Sequence, residues 1–441
     1  MGKMNFKTIL KKAYRLFHSQ GVEKLVLPFV FSKKRIQIAS EISTKDINPV
    51  SGPRIWFHAA SAGELESLWP LIVLAGSPGA SSPSNEIIVT LLSESGWGAL
   101  ERLKQKLQEI EAKVVFLGYS PWEGGWGNSL DQIRPTFFVT VKYEAWPDLW
   151  VSLQERNIPL VIIGARARKS LRIAKRITEL LAELPQLLLF PCDPGDVNDL
   201  KQLFPKAFLE VVNEPRWERV FDRSKMGAPR ARELTQVCKL HPRPWGVIGN
   251  AWLEDLKFLL PVLKEFQGTI WIVPHHLKTE NIRKIRQFLA ANGIDSVLTQ
   301  GTAGDDLAIP TSAILVNEMG FLSELYSSAD WAFVGGGFGA GIHSTIEPAI
   351  YGIPIAIGPN GSGKFSEVNQ LQRSGQLSLL RNTPDLLEWI KEVSLDSHPE
   401  LGQTALRPNK VQQNKQRWKR EAESRCGGAS QILYSLFQGN K

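Results

Sequence analysis

The sequence has few cysteines and lacks any metal-binding or membrane-spanning pattern. Its three cysteines, Cys192, Cys238 and Cys426, are far apart and form no CxxC pair. This spacing excludes a disulfide framework and a cysteine-rich zinc site, and it favours a reducing compartment. The seven histidines form no HExxH motif, so we predict no metal and no cofactor. The longest apolar run, LVLPFVF, is much shorter than the ~20 residues of a spanning helix.

The excess positive charge is confined to the amino-terminal arm. The net charge is +8, and residues 1–35 hold nine Lys and Arg against one acid, whereas the remaining charges cancel. Apolar residues recur in the arm at helical spacing, with lysines on the other face. We therefore predict an amphipathic segment that lies on an anionic membrane surface. The alternative is a solvated helix that packs on its own domain.

Short apolar runs alternate with helical segments along the rest of the chain. The first half contains RIWFH, EIIVTLL, VVFLGY, TFFVTV, LVIIGA and LLLF, and the second half contains WGVIGN, TIWIVP, AILVN, WAFVGG, IPIAIG and LSLL. Continuous apolar strands between helices are typical of parallel sheets covered on both faces. We predict an α/β protein with two doubly wound, Rossmann-like domains. The predicted divisions are 1–48 for the arm and linker, 49–225 and 226–405 for the domains, and 406–441 for a helical tail.

The first strand leads into HAASAGE, which allows three interpretations of Glu64 and Ser61. Ser61 and Glu64 have the spacing of a helix capping box. Ser61 also lies in an AxSxG sequence at a strand-to-helix turn, which resembles a nucleophile elbow. Alternatively, Glu64 is a general base at the end of the strand. The local spacing does not distinguish these interpretations.

The second half contains a glycine loop between a strand and a helix, within WAFVGGGFGAGIHSTIEP. Glycines let backbone amides approach a phosphate, and a helix amino terminus adds favourable partial charge. Ser344 and Glu347 have the spacing of a second capping box. We therefore predict a phosphorylated ligand at this loop. The match to a dinucleotide-binding GxGxxA pattern lacks the acid expected after the next strand, which argues against NAD or FAD.

Two further segments contain candidate anion-binding residues. The turn GPNGSGKFSE follows the next strand and opens another helix, and its alternative interpretation is a simple loop. In GARARKSLRIAKRI, basic residues share one helical face, which favours either a solvated face or a multiply anionic acceptor. Nucleic acid is not expected, because this run lacks aromatic residues and the rest of the chain is charge-neutral.

In this order the motifs resemble those of the 3-deoxy-D-manno-octulosonic acid (Kdo) transferases, inverting glycosyltransferases of the GT-B fold in lipopolysaccharide synthesis. The resemblance runs from about residue 50 to 375 and is carried by HAASAGE, RPTFFVTVKYEAWPDL, GARARKS, VPHH, GFLSELYSSADWAFVGGG and GIHSTIEPAIYGIPIAIGPN. It implies two Rossmann-like domains with a cleft, a cytidine monophosphate (CMP)-linked Kdo donor, a phosphorylated lipid A precursor as acceptor, and no metal. It also implies a peripheral protein at the cytoplasmic face of the inner membrane.

The resemblance also assigns roles to individual residues. It implies that Glu64 is the base that takes a proton from an acceptor hydroxyl, which displaces the nucleotide from the opposite face. It places Glu347 near the nucleotide ribose. The other donor-binding predictions are His275, Gly335, Gly336, Gly337, His343, Ser344, Ser362, Gly363 and Lys364. The acceptor-binding predictions are Ser61, Gly63, Glu144, Arg166, Arg168 and Arg172.

Four positions depart from the family pattern. Lys142 replaces a Glu, His275 an Arg, Ser344 an Asn, and Gly164 the Asn of Asn-Ala-Arg. An arginine is always charged and can donate two parallel hydrogen bonds to a phosphate. A histidine is mostly neutral at neutral pH and cannot donate in this bidentate way. The donor therefore stays open between CMP-Kdo and another nucleotide sugar. Alternatives from other classes are a serine hydrolase that uses Ser61 and a binding protein without catalysis.

Overall fold

The computed structural model describes residues 52–78, 85–122, 125–142, 144–226, 241–300, 312–320, 322–395 and 410–438. The predicted arm, with its membrane contact through residues 1–35, lies outside these ranges. The chain divides into two compact units, one formed by Met1–Arg219 with Cys426–Lys441 and the other by Val220–Arg425. None of the helices in the described ranges is both long and apolar enough to cross a bilayer.

The first unit contains a parallel sheet of seven strands in the order β3-β2-β1-β4-β5-β6-β7. Its strands are β1 (Arg54–Ala59), β2 (Glu86–Leu91), β3 (Lys113–Tyr119), β4 (Phe137–Val141), β5 (Leu160–Ile163), β6 (Leu187–Phe190) and β7 (Phe208–Leu209). All six predicted strands form. The seventh, β7, is a two-residue edge strand, too short to leave an apolar run in the sequence.

Helices cover both faces of this sheet. They are α1 (Ala62–Gly76), α2 (Trp97–Glu109), α3 (Trp126–Ile133), α4 (Pro147–Glu155), α5 (Lys169–Leu181) and α6 (Val197–Leu203). Helix α7 (Arg216–Met226) begins in this unit, and its residues from Val220 onwards belong to the second unit. Successive side chains of β1 enter different cores: Ile55 and Phe57 pack with α1, whereas Trp56 packs with Trp126 of α3. Burial on both faces explains why the strands read as continuous apolar runs.

The second unit repeats this architecture with the strand order β10-β11-β9-β8-β12-β13-β14. Its strands are β8 (Trp245–Ala251), β9 (Thr269–Pro274), β10 (Ser296–Leu298), β11 (Ala313–Leu315), β12 (Trp331–Val334), β13 (Ile355–Ile357) and β14 (Leu377–Leu379). The additional strand is again a short edge strand, β10. The prediction of two doubly wound domains is confirmed.

The second unit contains most of the remaining helices. They are α8 (Leu253–Phe258), α9 (Leu260–Glu265), α10 (Thr279–Ala291), α11 (Leu322–Ser328), α12 (Ile346–Ala349), α13 (Ser366–Arg373), α14 (Thr383–Leu395) and α15 (Lys410–Glu423). The last helix, α16 (Gly428–Gln438), belongs to the first unit. The segment predicted as a separate tail, 406–441, is therefore divided between the two units. The reason is packing: Ile432 and Leu436 of α16 are buried in the core beside α1.

The strand orders locate the place in each sheet where a ligand is expected. In the first sheet the order reverses between β1 and β4, and in the second between β8 and β12. Ligands of doubly wound sheets bind beyond the carboxyl ends of the strands at such a reversal. The residues that follow these four strands are therefore the candidates.

Candidate active site

Glu64 is the third residue of α1, immediately beyond the carboxyl end of β1. Its Oε2 accepts hydrogen bonds from the backbone amides of Ala60, at 2.7 Å, and Ser61, at 3.2 Å. The carboxylate therefore folds back on the start of its own helix, as the capping-box interpretation predicts. No described residue donates a hydrogen bond to Oε1. One oxygen is thus held in place and the other is open to a ligand.

Ser61 is the amino-terminal cap of α1, and Gly63 is the helical residue directly before Glu64. Ser61 has an extended backbone, with φ −140° and ψ 167°, and not the strained turn of a nucleophile elbow. The serine-hydrolase interpretation therefore has no geometric support. Gly63 is exposed, and nothing lies within 4 Å of the position that a Cβ would take. Gly63 thus leaves space at the first turn of α1.

Glu144 follows β4 and is buried beside His58 of β1. The indole Nε1 of Trp146 donates a hydrogen bond to Glu144 Oε2 at 2.6 Å, and His58 Nε2 lies 3.6 Å from the same oxygen. The other ring nitrogen of His58 is 3.1 Å from Thr90 Oγ1. His58 is fully buried, with its ring edge-on to Trp126. This arrangement fixes the imidazole behind Glu144.

The two carboxyl groups have pKa values shifted in opposite directions. Burial raises the pKa of Glu64 above its ordinary value, and repulsion by Glu144 raises it further. The hydrogen bond from the Ala60 amide and the charges of His58 and Lys142 lower this pKa, but by less. Burial also raises the pKa of Glu144, but His58 and the Trp146 hydrogen bond outweigh it and lower that pKa overall. A pair divided in this way typically comprises one proton acceptor and one permanent anion.

Two of the departures from the family pattern, Lys142 and Gly164, are physically coupled. Lys142 has a left-handed backbone, with φ +56°, at the end of β4. Its Cγ lies 3.3 Å from the position of a Cβ on Gly164, which is itself left-handed. A side chain at position 164 would therefore compete with Lys142 for space. Glu214, also buried, lies beside the same glycine, with Oε2 at 3.6 Å.

The predicted acceptor-binding arginines differ in their surroundings. Arg166 follows β5 and forms an ion pair with Asp196, with Nε 3.0 Å from Oδ1. Arg168 is exposed at the amino-terminal cap of α5. Arg172 is exposed on α5, and its Nε donates to the carbonyl of Ala167 at 3.2 Å. Arg166 is therefore paired with a carboxylate, and Arg168 and Arg172 are exposed to solvent.

Asp255 organises the glycine loop of the second unit. Its Oδ2 accepts hydrogen bonds from the amides of Gly336, at 2.7 Å, and Trp252, at 3.0 Å, and its Oδ1 accepts from Phe338 at 3.2 Å. Asp255 is fully buried, and burial raises its pKa despite these bonds. Local spacing does not predict this role, because the residue at the helix cap is Trp252 and not a Ser or Thr.

The glycine loop does not present all its amides to a ligand. Gly335 donates its amide to the carbonyl of Gly249 at 2.8 Å, and Gly336 donates to Asp255. The prediction that these amides bind a phosphate is therefore wrong for Gly335 and Gly336. The glycines allow close backbone packing instead: a Cβ on Gly337 would lie 2.5 Å from the Cα of Gly358. The two glycine-rich turns thus pack directly on each other.

Three histidines, from the segments that follow β9 and β12, form a group of rings with Trp252, which follows β8. The His275 ring stacks on Trp252 at 4.9 Å and lies 4.3 Å from both His276 and His343. Burial, and then the nearby His276, lowers the pKa of His275, so this ring is neutral at neutral pH. Among the described residues, no group of three or more His, Cys, Asp or Glu is placed to hold a metal ion.

The predicted capping box at Ser344 and Glu347 is wrong. Helix α12 begins at Ile346 with Thr345 as its cap, one residue later than this box requires, and spans only four residues. The Ser344 hydroxyl accepts from the amide of Ile346 at 3.4 Å. Glu347 Oε1 instead lies 3.7 Å from Arg223 Nη1, and so its carboxylate remains available to a ligand hydroxyl.

The second glycine-rich turn leads from β13 towards α13. Ser362–Lys364 form a short 3₁₀ helix that follows the left-handed Gly361. The Ser362 hydroxyl donates to the carbonyl of Pro359 at 3.0 Å, and no atom crowds Gly363. The side chain of Lys364 lies outside the described part of the chain. Its predicted contact with a phosphate remains a prediction.

Comparisons with known proteins give matches in sequence and in structure. Residues 32–218 match the family model described as 3-Deoxy-D-manno-octulosonic-acid transferase (kdotransferase). A 3-deoxy-D-manno-octulosonic acid transferase of Chlamydophila psittaci is 24% identical over 414 residues, 88% of this chain and 84% of that protein. A bifunctional glycosyltransferase/methyltransferase of Fusobacterium nucleatum is 23% identical over 76% of this chain, which spans 51% of that relative's length. A solved UDP-N-acetylglucosamine 2-epimerase is similar in fold, with a TM-score of 0.55 and 13% identity over 89% of this chain and 98% of that chain.

Proposed function

We propose, starting from this chain's membership of the Kdo transferase family, that it is an inverting glycosyltransferase that moves Kdo from CMP-Kdo to a lipid A precursor. The family and the GT-B fold expected from the sequence are confirmed by the family match, the relatives and the two doubly wound sheets. The donor, the acceptor and the role of Glu64 belong to the proposal. The same holds for the location, at the cytoplasmic face of the inner membrane, and for a reaction without metal or cofactor.

One observation carries the assignment of the base: Glu64 has one oxygen fixed and the other open. The amides of Ala60 and Ser61 hold Oε2, which leaves Oε1 as the proton acceptor. Capping and catalysis therefore use different oxygens of the same carboxylate. The raised pKa makes Glu64 a stronger base than an exposed carboxylate.

The proposed reaction is a single displacement. An acceptor sugar hydroxyl gives its proton to Glu64 Oε1 as its oxygen bonds to the anomeric carbon of the donor. The bond from that carbon to the phosphate oxygen breaks on the opposite side, and CMP leaves with the electron pair. Inversion at the anomeric carbon follows from this geometry. Glu144, kept ionised by His58 and Trp146, stays an anion and sustains the basicity of Glu64.

We assign donor binding to the second unit. Glu347, which forms a long ion pair with Arg223 within the described residues, accepts hydrogen bonds from the ribose hydroxyls. The Ser344 hydroxyl accepts from the amide of Ile346 and keeps its own proton to donate towards the phosphate, and Ser362 lies on the second glycine-rich turn. The rings of Trp252, His275 and His343 offer flat surfaces in the same unit.

Mass spectrometry of a lipid A precursor, incubated with the purified protein and CMP-Kdo generated in situ, tests the proposal. We expect Kdo addition, lowered roughly 10²–10⁴-fold by Glu64→Gln, because the amide no longer accepts a proton. Glu101→Gln, an exposed carboxylate on α2, is the matched control and retains activity. Addition of Kdo by the Glu64→Gln variant at the native rate would remove Glu64 from the mechanism.

A second candidate, transfer of a different nucleotide sugar, is favoured by His275. This ring is neutral and stacked on Trp252, whereas the family pattern has a charged arginine there. A screen of CMP-, UDP- and GDP-sugars with the same acceptor separates the two candidates. Turnover with a UDP-sugar and none with CMP-Kdo would establish the second one.

A further inference from the structure

Helix α5 carries an outward surface on which cationic and apolar side chains are mixed. Its inner side buries Leu171, Ala174, Thr178 and Leu181 against the first sheet. On the opposite side, Ile173 and Leu180 are 45% and 59% exposed. At 3.6 residues per turn, these two lie within about 100° of three exposed cations. The outer face of α5 consists of Lys169, Arg172, Ile173, Arg176 and Leu180.

The cations of this face are not neutralised by neighbouring carboxylates. Among the described residues, no acid lies within ion-pair distance of Lys169, Arg172 or Arg176. The nearest acid on the helix, Glu179, is bound to Lys175, with Nζ 2.7 Å from Oε1. The face is therefore positively charged as well as partly apolar.

Another basic helix, α10, lacks this combination. Helix α10 also exposes several cations, including Arg283 and Arg286. Its large apolar residues Ile282, Ile285 and Leu289 are buried, and none of the exposed large apolar side chains in the described ranges lies on it. Both helices therefore expose cations, but only α5 of the two also exposes large apolar side chains among them.

We propose that the outer face of α5 docks on an anionic lipid surface. Lysine and arginine side chains attract acidic headgroups, and Ile173 and Leu180 enter the boundary between headgroups and acyl chains. Exposed aromatic residues that would stack on bases are absent from α5, which argues against nucleic acid. This contact is separate from the one predicted for residues 1–35, and it does not depend on the reaction under Proposed function.

Binding to vesicles of phosphatidylglycerol and phosphatidylcholine tests the electrostatic part. We expect Arg172→Gln/Arg176→Gln to lower the partition coefficient of the full chain roughly tenfold or more, because each cation near the surface contributes to binding. Arg283→Gln/Arg286→Gln on α10 removes the same charge and is the matched control. Equal losses in both double variants, or no binding by the native chain, would overturn the proposal.

A site-specific probe separates α5 from the amino-terminal arm. An environment-sensitive fluorophore is attached at Ile173→Cys or Leu180→Cys, with Cys238 and Cys426 replaced by Ser and the buried Cys192 kept. We expect a blue shift with anionic vesicles and quenching by lipid-phase quenchers. Leu387→Cys, on α14, is the exposed control and stays unchanged. Unchanged emission at both α5 positions, or a shift with protein alone that reports self-association, would overturn the proposal.

The vesicle readouts require neither donor nor acceptor, so they separate this inference from the proposed function. A chain that docks through α5 but transfers no sugar would retain the inference and refute the function. A chain that transfers Kdo with native binding in the α5 variants would do the reverse. Circular dichroism of each variant checks folding, and substitutions at these exposed positions leave the core intact.

Discussion

The charges of Glu144 and Lys142 act on Glu64 at the carboxyl end of the first sheet. They therefore predict how the activity depends on pH. Glu64 accepts a proton only when ionised, so activity rises as the pH passes its raised pKa. Glu144→Gln removes a repulsive charge and should move this acidic limb of the pH–rate profile to lower pH. Lys142→Asn removes an attractive charge, tolerates the left-handed backbone, and should move the limb to higher pH.

The opposite signs make this a sharp test, measured as kcat against pH for the native protein and the two variants. Glu101→Gln, an exposed carboxylate on α2, is the control that should leave the limb in place. Shifts of the same sign in both charge variants would show that the limb belongs to another group. The Gln at 144 keeps an oxygen for the Trp146 indole, so the local hydrogen bond is retained.

The loop that joins β12 to α12 depends on one side chain from another element, Asp255 of α8. Asp255→Ala leaves the buried amides of Gly336 and Phe338 without acceptors, which costs about 2–4 kcal/mol. We expect faster hydrogen exchange in residues 331–342 and a lower unfolding midpoint of the second unit. Glu254→Ala, an exposed neighbour, is the control, and peptides of the first unit are the internal reference. Native exchange in the Asp255 variant would contradict this role.

The sequence predicts best those elements whose burial requires a recognisable run of apolar residues. Strands such as β1 and β12 are buried on both faces and read as continuous apolar runs. Strands β7 and β10 were missed because edge strands of two or three residues have no such run. Local spacing allows the cap at Glu64 as one of three interpretations, whereas the cap that it predicts at Ser344 does not form, because the helix begins one residue later. Asp255 depends on contacts between distant segments, which spacing does not encode.

At the scale of the whole molecule, the first unit is built from two separate stretches of chain. Helix α16 buries Ala429, Ile432, Leu433 and Leu436 in the core beside α1, and Phe437 packs edge-on against Phe137 of β4. Glu218 Oε1 accepts the amides of Gly427 and Ala429 at 3.0 and 2.9 Å, which fixes the start of α16. A boundary drawn along the sequence could not reveal this, because the docking site lies hundreds of residues earlier.

This arrangement predicts that the first unit is unstable without its final helix. Ile432→Ala should destabilise it by about 2–5 kcal/mol, because the removed side chain is fully buried. Tyr434→Ala, 64% exposed on the same helix, is the matched control with little effect. Chemical denaturation of both variants measures the difference.

A fragment of residues 1–225 should be poorly soluble alone, and its solubility should recover when α16 is supplied as a peptide. A fragment that is stable without the peptide would contradict this.

The same discontinuity sets an order for maturation on the ribosome. Domains usually fold as they emerge, starting from the amino terminus. Here the unit that contains Glu64 emerges first, yet the helix that completes its core follows the whole of Val220–Arg425 in synthesis. The apolar groove that binds α16 therefore stays exposed in the nascent first unit while the second unit is being synthesised. Chaperone occupancy during translation should concentrate on that groove and end once residues 428–438 have left the exit tunnel.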